Sequence, residues 1–374
     1  MVSPWIRTPE ALASLARSLE GCRAIGLDTE SDSLYHHFEK VCLLQLATDR
    51  GEAVLVDTLA LSDLAPLAPV MADPGVVKVL HGADYDVTTL KRDFGLSFAA
   101  LFDTMIAARL LGRSEIGLAA VARDELGVSL SKGNQKDDWS RRPLTPAQEV
   151  YALADVQHLV ALRDSLEPKL AGAGRLGWLV EECSAVAALE PAARRRDPDA
   201  YLGLKGAKRL PPRSLAALRE LHAWRERRAE ETDIPPFKIL GNESLLRLAE
   251  GRPRDLAALG AVPGVLPRLR RQAEALLAAV GRAEAMAEAD LPRPARPVRP
   301  VVPDVVRARV DRLRAWRTAR AAELGVDVSV VLPQRLIDRL AEAAPRDAAE
   351  LEAVEGLRRW RAGAFGSELL AAVS

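Results

Sequence analysis

Ala24-Ile25-Gly26-Leu27-Asp28-Thr29-Glu30 is an apolar run that ends in two acids one residue apart. The run predicts a buried strand that opens into a polar turn. Side chains two apart on a strand share a face, so Asp28 and Glu30 stand side by side. Neighbouring carboxylates raise each other's pKa unless a cation sits between them. Hard divalent cations prefer such oxygen ligands. Taken alone the pair carries little, because surface strands commonly end in acids.

Outward from this strand, residues 1–170 read as α/β. Glu10 to Glu20 predicts a short amphipathic helix. Val41-Cys42-Leu43-Leu44-Gln45-Leu46-Ala47 and Ala53-Val54-Leu55-Val56-Asp57 read as strands joined by the turn Asp49-Arg50-Gly51. Val76-Val77-Lys78-Val79-Leu80 is a fourth strand, and a short fifth is expected near Phe102. Helices follow at about 84–94, 104–111, 117–126 and 145–170. Strands beside strands and then beside helices imply a mixed sheet flanked by helices.

Two further constellations belong with the first. His81-Gly82-Ala83-Asp84-Tyr85-Asp86 follows the fourth strand. A glycine turn opening a helix there places the helix's first residues at the carboxyl edge of the sheet, where open α/β sheets hold their sites. Asp84 is placed to be the N-cap, leaving Asp86 free in the first turn. Tyr151 and Asp155 lie four apart on a helix and project from one face. Asp28, Glu30, Asp86 and Asp155 then meet from three elements. That donor set suits two ions about 3.5–4 Å apart, which stabilise the attacking and leaving oxygens of a displacement at phosphorus. Tyr151 beside them is expected to orient the attacking water or to take its proton, the latter only with metal charge nearby.

The remainder of the chain is helical. Residues 171–210 form a connector, helical near Trp178–Ala188 and basic at Arg194-Arg195-Arg196. Residues 211–374 contain a repeat. Trp224, Leu240, Leu248-Ala249-Glu250, Asp255, Ala261-Val262 and Gly264 recur at a constant offset of 92 as Trp316, Leu332, Leu340-Ala341-Glu342, Asp347, Ala353-Val354 and Gly356. Both tryptophans are expected in the cores of their copies. The Pro- and Arg-rich run Leu291 to Pro300 reads as a stiff linker. The divisions are therefore 1–170, 171–210, 211–290, 291–303 and 304–374.

These motifs resemble the DEDD family of 3′→5′ exonucleases, in the subclass with Tyr in its third motif. Asp28-Thr29-Glu30 matches the first motif. His81 through Asp86 matches the second, whose catalytic Asp stands five after the His and so is Asp86. Tyr151 and Asp155 match Y-x-x-x-D. Asp138-Trp139-Ser140-Arg141-Arg142-Pro143-Leu144-Thr145 is similar to the segment before the third motif in ribonuclease D. The repeat resembles the HRDC domain. The order of parts is similar to that of the bacterial ribonuclease D family.

The resemblance implies an RNase H-like exonuclease domain followed by two small all-α HRDC-like domains. It implies a catalytic set of Asp28, Glu30, Asp86, Tyr151 and Asp155, with two divalent cations (Mg²⁺ or Mn²⁺) held by the four carboxylates. RNA is the implied substrate, above all tRNA precursors with 3′ extensions, cleaved to 5′-mononucleotides. Gln135, Trp139 and Arg142 are candidate substrate contacts, Trp139 by stacking on a base and the others at phosphate. His81 is expected to be structural, and His36-His37 a solvated loop. The second HRDC copy carries Asp327-Val328-Ser329 where the first has Pro235-Pro236-Phe237, a departure that sets its nucleic-acid role apart and suits a packing or positioning module. A DNA exonuclease and a non-catalytic nucleic-acid scaffold are the alternatives.

Composition fits this reading. The chain has 374 residues and a net charge of zero. Residues 1–170 hold 17 Lys+Arg against 24 Asp+Glu, and residues 171–374 hold 35 against 28. Nine arginines and two acids lie between Arg293 and Arg320. A basic half is the footprint of a polyanion partner. No apolar run reaches the ~18 residues of a membrane span, and no G-x-x-x-x-G-K-[ST] loop supports a helicase. Three scattered cysteines, Cys22, Cys42 and Cys183, are too few for a disulfide framework or a zinc cluster. They suit a reducing, cytoplasmic setting, with no obligate protein partner evident.

Overall fold

The computed structural model describes residues 5–131, 133–192, 197–263, 265, 271–293 and 302–374. Arg194-Arg195-Arg196, Gly264 and most of the expected Pro/Arg linker lie outside the described residues. The chain forms two compact units. One spans the described parts of Met1–Ser31, Val41–Pro191 and Pro300–Ser374; the other spans those of Asp32–Lys40 and Ala192–Arg299.

The first unit is built on a six-stranded mixed sheet. Its strands are β1 (Trp5–Ile6), β2 (Ala24–Ser31), β3 (Val41–Thr48), β4 (Ala53–Val56), β5 (Val77–Leu80) and β6 (Leu101–Asp103), in the order β1-β4-β3-β2-β5-β6. β3 runs antiparallel to β2 and β4, while the β1–β4, β2–β5 and β5–β6 pairs are parallel. β3 is buried along its whole length. That explains its nearly unbroken apolar sequence, since a strand covered on both faces has no solvent side to make polar. β1 has too few residues to show alternation, and only its pairing with β4 defines it.

The helices of this unit are α1 (Pro9–Ser18), α2 (Ala68–Ala72), α3 (Asp84–Phe94), α4 (Thr104–Leu110), α5 (Leu118–Leu126), α6 (Pro146–Gln157), α7 (Leu159–Gly172) and α8 (Leu176–Ala187). The single helix expected over 145–170 is in fact two, broken at His158. Neither Pro nor Gly stands there to signal it. The break lies on β2, where a Cβ at Gly26 would come within 2.9 Å of the Val156 carbonyl and 3.1 Å of Leu159 Cβ.

The second HRDC-like copy belongs to this same unit. It comprises the helices at Asp304–Leu324, Val328–Val331, Gln334–Ala343, Ala348–Glu352 and Arg359–Val373. Trp178 of α8 stacks on Trp360 at 4.2 Å between ring centroids. Glu181 accepts hydrogen bonds from the backbone N–H groups of Arg359 (2.6 Å) and Trp360 (2.8 Å), capping the last helix from outside the module. Glu182 pairs with Arg361 at 2.7 Å and accepts from Trp360 Nε1 at 3.0 Å. A Cβ on Gly112 would stand 1.9 Å from the Gly325 carbonyl, and Gly112 has φ +75, so only glycine fits this contact. Trp316, expected in the core, is partly buried there and donates to Glu368 at 2.7 Å.

The second unit holds the first HRDC-like copy, with helices at Pro212–Thr232, Pro236–Ile239, Asn242–Gly251, Leu256–Gly260 and Ala273–Ala285 around Leu221, Trp224, Leu248 and Leu276. The segment Asp32–Lys40 is part of this unit. His36, expected in a solvated loop, bonds Asp233 at 2.7 Å, and Asp233 also accepts from Phe38 N at 2.9 Å. Among the described residues no helix is long and apolar enough to cross a membrane.

Candidate active site

The site begins where β2 outruns its neighbour. β5 pairs with β2 only over Ala24–Gly26, so Asp28 to Ser31 continue past the end of β5 while still paired with β3. The polar end of β2 is accordingly half-buried where its apolar start is buried. A register shift follows Glu30 and turns the strand away.

Beyond β5 the chain turns at Gly82 (φ +77), where a Cβ would stand 2.8 Å from Met105 Cε. It then enters α3, which carries Asp86 in its first turn. Asp84 is not the N-cap: Ala83 holds that position and has no capping side chain. Asp103, at the end of β6, does the work from a neighbouring strand. Its carboxylate accepts from Gly82 N (3.0 Å) and Ala83 N (2.8 Å), and from Met105 N (2.8 Å) and Ile106 N (3.2 Å) of α4. One buried acid thus caps two helices. The Asp103-Thr104 pair at the end of the short fifth strand carried that capping signal. His81 Nδ1 lies 2.8 Å from Thr104 Oγ1 at the end of β5.

Tyr151 and Asp155 come from α6. Its start is fixed by a capping box in which Gln148 N donates to Thr145 Oγ1 (3.3 Å) and Thr145 N donates to Gln148 Oε1 (2.9 Å). The residues before it form a brace. Arg142 grips Asp57 with Nε and Nη2 at 3.0 and 2.8 Å, and donates to the carbonyls of Cys42 (2.7 Å) and Trp139 (2.8 Å). Trp5 Nε1 donates to Glu149 at 3.0 Å. Two expectations are corrected here. Arg142 has its donors engaged within the fold and is not a phosphate contact. Trp139 is 1% exposed and packs 6.0 Å from the Tyr151 ring, so it is no stacking platform. Gln135 is exposed in the turn before this brace.

These elements bring Asp28, Glu30 and Asp155 together, with one carboxylate oxygen from each within 4.8 Å of the others. Asp86 does not join that trio. Thr29 Oγ1, from between the two acids of β2, donates to its carboxylate. The spacing of D-x-E gave no hint that its middle residue would hold the fourth acid.

Burial, and then the neighbouring acids, lift the Asp28 carboxyl well above its ordinary range. The same causes push Glu30 up to about 9. Burial carries Asp86 to about 7 against the hydrogen bond from Thr29. Burial lifts Asp155 to about 6, opposed by a hydrogen bond from Tyr151. The Tyr151 phenol is pushed upward by burial and by Asp155, Glu30 and Asp28, so it stays protonated. Ionised acids this crowded require positive charge, and an all-oxygen donor set fits a hard divalent cation.

Comparison with known proteins agrees with this chemistry. Residues 4–171 match the 3′-5′ exonuclease family, and residues 214–280 and 306–373 each match the HRDC domain. Ribonuclease D of Gluconacetobacter diazotrophicus is 34% identical over 98% of this chain and 91% of its own. The chain belongs to the ribonuclease D family. Ribonuclease D of Pseudomonas paraeruginosa is 32% identical over 99% of this chain and 97% of its own. The crystal structure of Escherichia coli RNase D, an exoribonuclease involved in structured RNA processing, superposes with a TM-score of 0.70 at 27% identity, covering 100% of this chain and 99% of that one. As a member of this family, the protein is a 3′→5′ exoribonuclease of a metal-dependent family, and the acidic trio stands in its exonuclease domain.

Proposed function

We propose that Asp28, Glu30 and Asp155 hold Mg²⁺ or Mn²⁺, with Asp86 completing a two-ion site, and that Tyr151 orients the attacking water. The observation that carries this is the trio of carboxylate oxygens within 4.8 Å, beside a Tyr151 hydroxyl hydrogen-bonded to Asp155. When bound, such ions polarise the scissile phosphate and favour the hydroxide form of a nearby water.

The residues divide the remaining work. Thr29 holds the Asp86 carboxylate by donating to it, which leaves the other Asp86 oxygen for a cation or its water. Asp155 accepts the Tyr151 O–H, which fixes the direction of the phenol oxygen and leaves its lone pair to accept a hydrogen bond from water. Tyr151 is protonated in the metal-free site, which favours an orienting role over that of a base. Water adds to phosphorus, the bond to the 3′ oxygen breaks, and a 5′-mononucleotide leaves with a new 3′-hydroxyl behind it.

The substrates proposed are tRNA precursors with 3′ extensions, and the setting proposed is cytoplasmic, which the three free buried cysteines suit. In this reading residues 1–170 cleave, the HRDC-like copy at 211–290 binds RNA, and that at 304–374 is a docking module. Every arginine of the Asp304–Leu324 helix has an internal partner. Arg309, Arg312 and Arg317 donate to the carbonyls of Val373, Ala372 and Leu332; Arg307, Arg314 and Arg320 pair with Asp304, Asp311 and Glu323.

The test is a time course on 5′-labelled RNA and DNA of one sequence, and on a tRNA with a 3′ extension, in Mg²⁺ and in EDTA. Ladders shortening from the 3′ end on RNA, absent in EDTA and with Asp28→Ala, are expected. Equal ladders on DNA would favour the broader nuclease, and cleavage by Asp28→Ala would displace the site.

A further inference from the structure

β3 is apolar at its centre except for Gln45, which is fully buried. Among the described residues Gln45 alone leaves two buried side-chain polar atoms, Oε1 and Nε2, without a hydrogen-bond partner. Buried amides are nearly always paired, and an apolar side chain of the same size would avoid the cost altogether. A glutamine that persists there needs a partner that protein atoms alone do not supply.

The strand register shows what lies beside it. Gln45 is directly opposite Asp28 on β2 and directly opposite Leu55 on β4. Directly opposed residues of antiparallel strands share a face, with Cβ atoms about 4.5–5.5 Å apart. Leu43, two residues away on the same face, stands opposite Glu30. Leu43 and Leu55 cluster with Trp139 and Ala152, and Tyr151 packs on that cluster. The Gln45 amide therefore lies under α6, next to Asp28. Trp139 Nε1 is a second buried donor in this layer without a partner.

We propose that Gln45 is a positioning residue for Asp28: its amide N–H donates through one ordered water to the Asp28 carboxylate and fixes that carboxylate in the orientation that ligates a divalent cation. The Gln45 carbonyl is left to accept from the same or a second water that Trp139 Nε1 also reaches, which satisfies both orphan groups at once. Ligands are commonly oriented by such outer partners, whose loss costs roughly 10–100-fold in metal affinity. The inference rests on the cation-site reading above.

The test uses the full chain with Gln45→Leu and, as an unbranched alternative, Gln45→Met. Mn²⁺ binding is followed by electron paramagnetic resonance and melting temperature is measured in EDTA. Both variants should melt at or above wild type in EDTA, because no polar group is left buried. Both should bind Mn²⁺ at least ~10-fold more weakly, and kcat should fall with KM for RNA little changed. Leu55→Val, at the neighbouring position of the same face, should lower the melting temperature and leave Mn²⁺ affinity alone. Mn²⁺ affinity within twofold of wild type in the Gln45 variants would overturn the proposal, as would an equal loss in Leu55→Val. A wild-type chain that binds no Mn²⁺ would instead overturn the cation-site reading itself.

Discussion

Replacing Asp155 by Asn should stabilise the metal-free protein, and only at the pH where the acid is ionised. The folded chain holds this carboxyl near 6 where its ordinary value is 3.8. Each pH unit between those values is worth about 1.4 kcal/mol, so ionising Asp155 costs the folded state roughly 3 kcal/mol. Asp155 is partly exposed, and solvent screening brings the figure to about 2 kcal/mol. The sign follows from proton counts. Between pH 4 and 6 the unfolded chain has released this proton and the folded chain keeps it. Stability therefore falls as pH rises through that window and stays low above it. Asn carries no such cost and can still accept the Tyr151 hydrogen bond. A gain of about 2 kcal/mol raises the melting temperature of a unit this size by roughly 4–8 °C. The assay is calorimetry in EDTA at pH 3.5 and 7.5. Wild type and Asp155→Asn should melt together at the lower pH, with the variant higher at the upper. Adding Mn²⁺ at pH 7.5 should reverse the order, since only the wild type gains a ligand. An Asp155→Asn protein that melts lower at both pH values would refute the reasoning. It would mean that structural hydrogen bonds to Asp155 outweigh the cost of burying its charge.

Tyr151→Phe should lower kcat roughly 10²-fold, the scale of a lost positioning contact, and leave Mn²⁺ affinity near wild type; an unchanged single-turnover rate would remove the phenol from the reaction. Arg142→Ala should cost roughly 1–3 kcal/mol of stability, because it removes the two-pronged partner of the buried Asp57 carboxylate and leaves that group to Arg7 at 3.4 Å and Leu59 N at 3.3 Å. RNA affinity measured below the melting transition should then be unchanged, and a large loss would restore Arg142 as a phosphate contact. Trp360→Ala should cost about 3–5 kcal/mol in this buried stack and expose residues 302–374 to limited proteolysis, whereas a wild-type digestion pattern would show that the Trp178 stack does not hold the module.

The site motifs were legible because chemistry constrains residue type and spacing together. D-x-E on a strand, an acid in the first turn of a helix, and Y-x-x-x-D on one helical face each follow from local geometry. Trp139 and Arg142 were legible as residues but not in their roles. An aromatic and a cation before a catalytic motif look alike whether they face a substrate or the protein, and only burial and partners separate the two. The break between α6 and α7 had no local signature, because it lies against Gly26 on another element.

By itself the sequence determined the order of β2 to β6 and of most helices, the four acids and the tyrosine, and the duplication at a spacing of 92. Those depend on periodicity and residue chemistry within short windows. The tertiary structure decided which acids share a space, that Thr29 holds Asp86, that Asp103 caps two helices, and that Gln45 lies buried opposite Asp28. It also decided that the second repeat packs on α8. These relations join residues tens to hundreds of positions apart. They are fixed by strand register and by which surfaces close against one another, and no short window of sequence carries either.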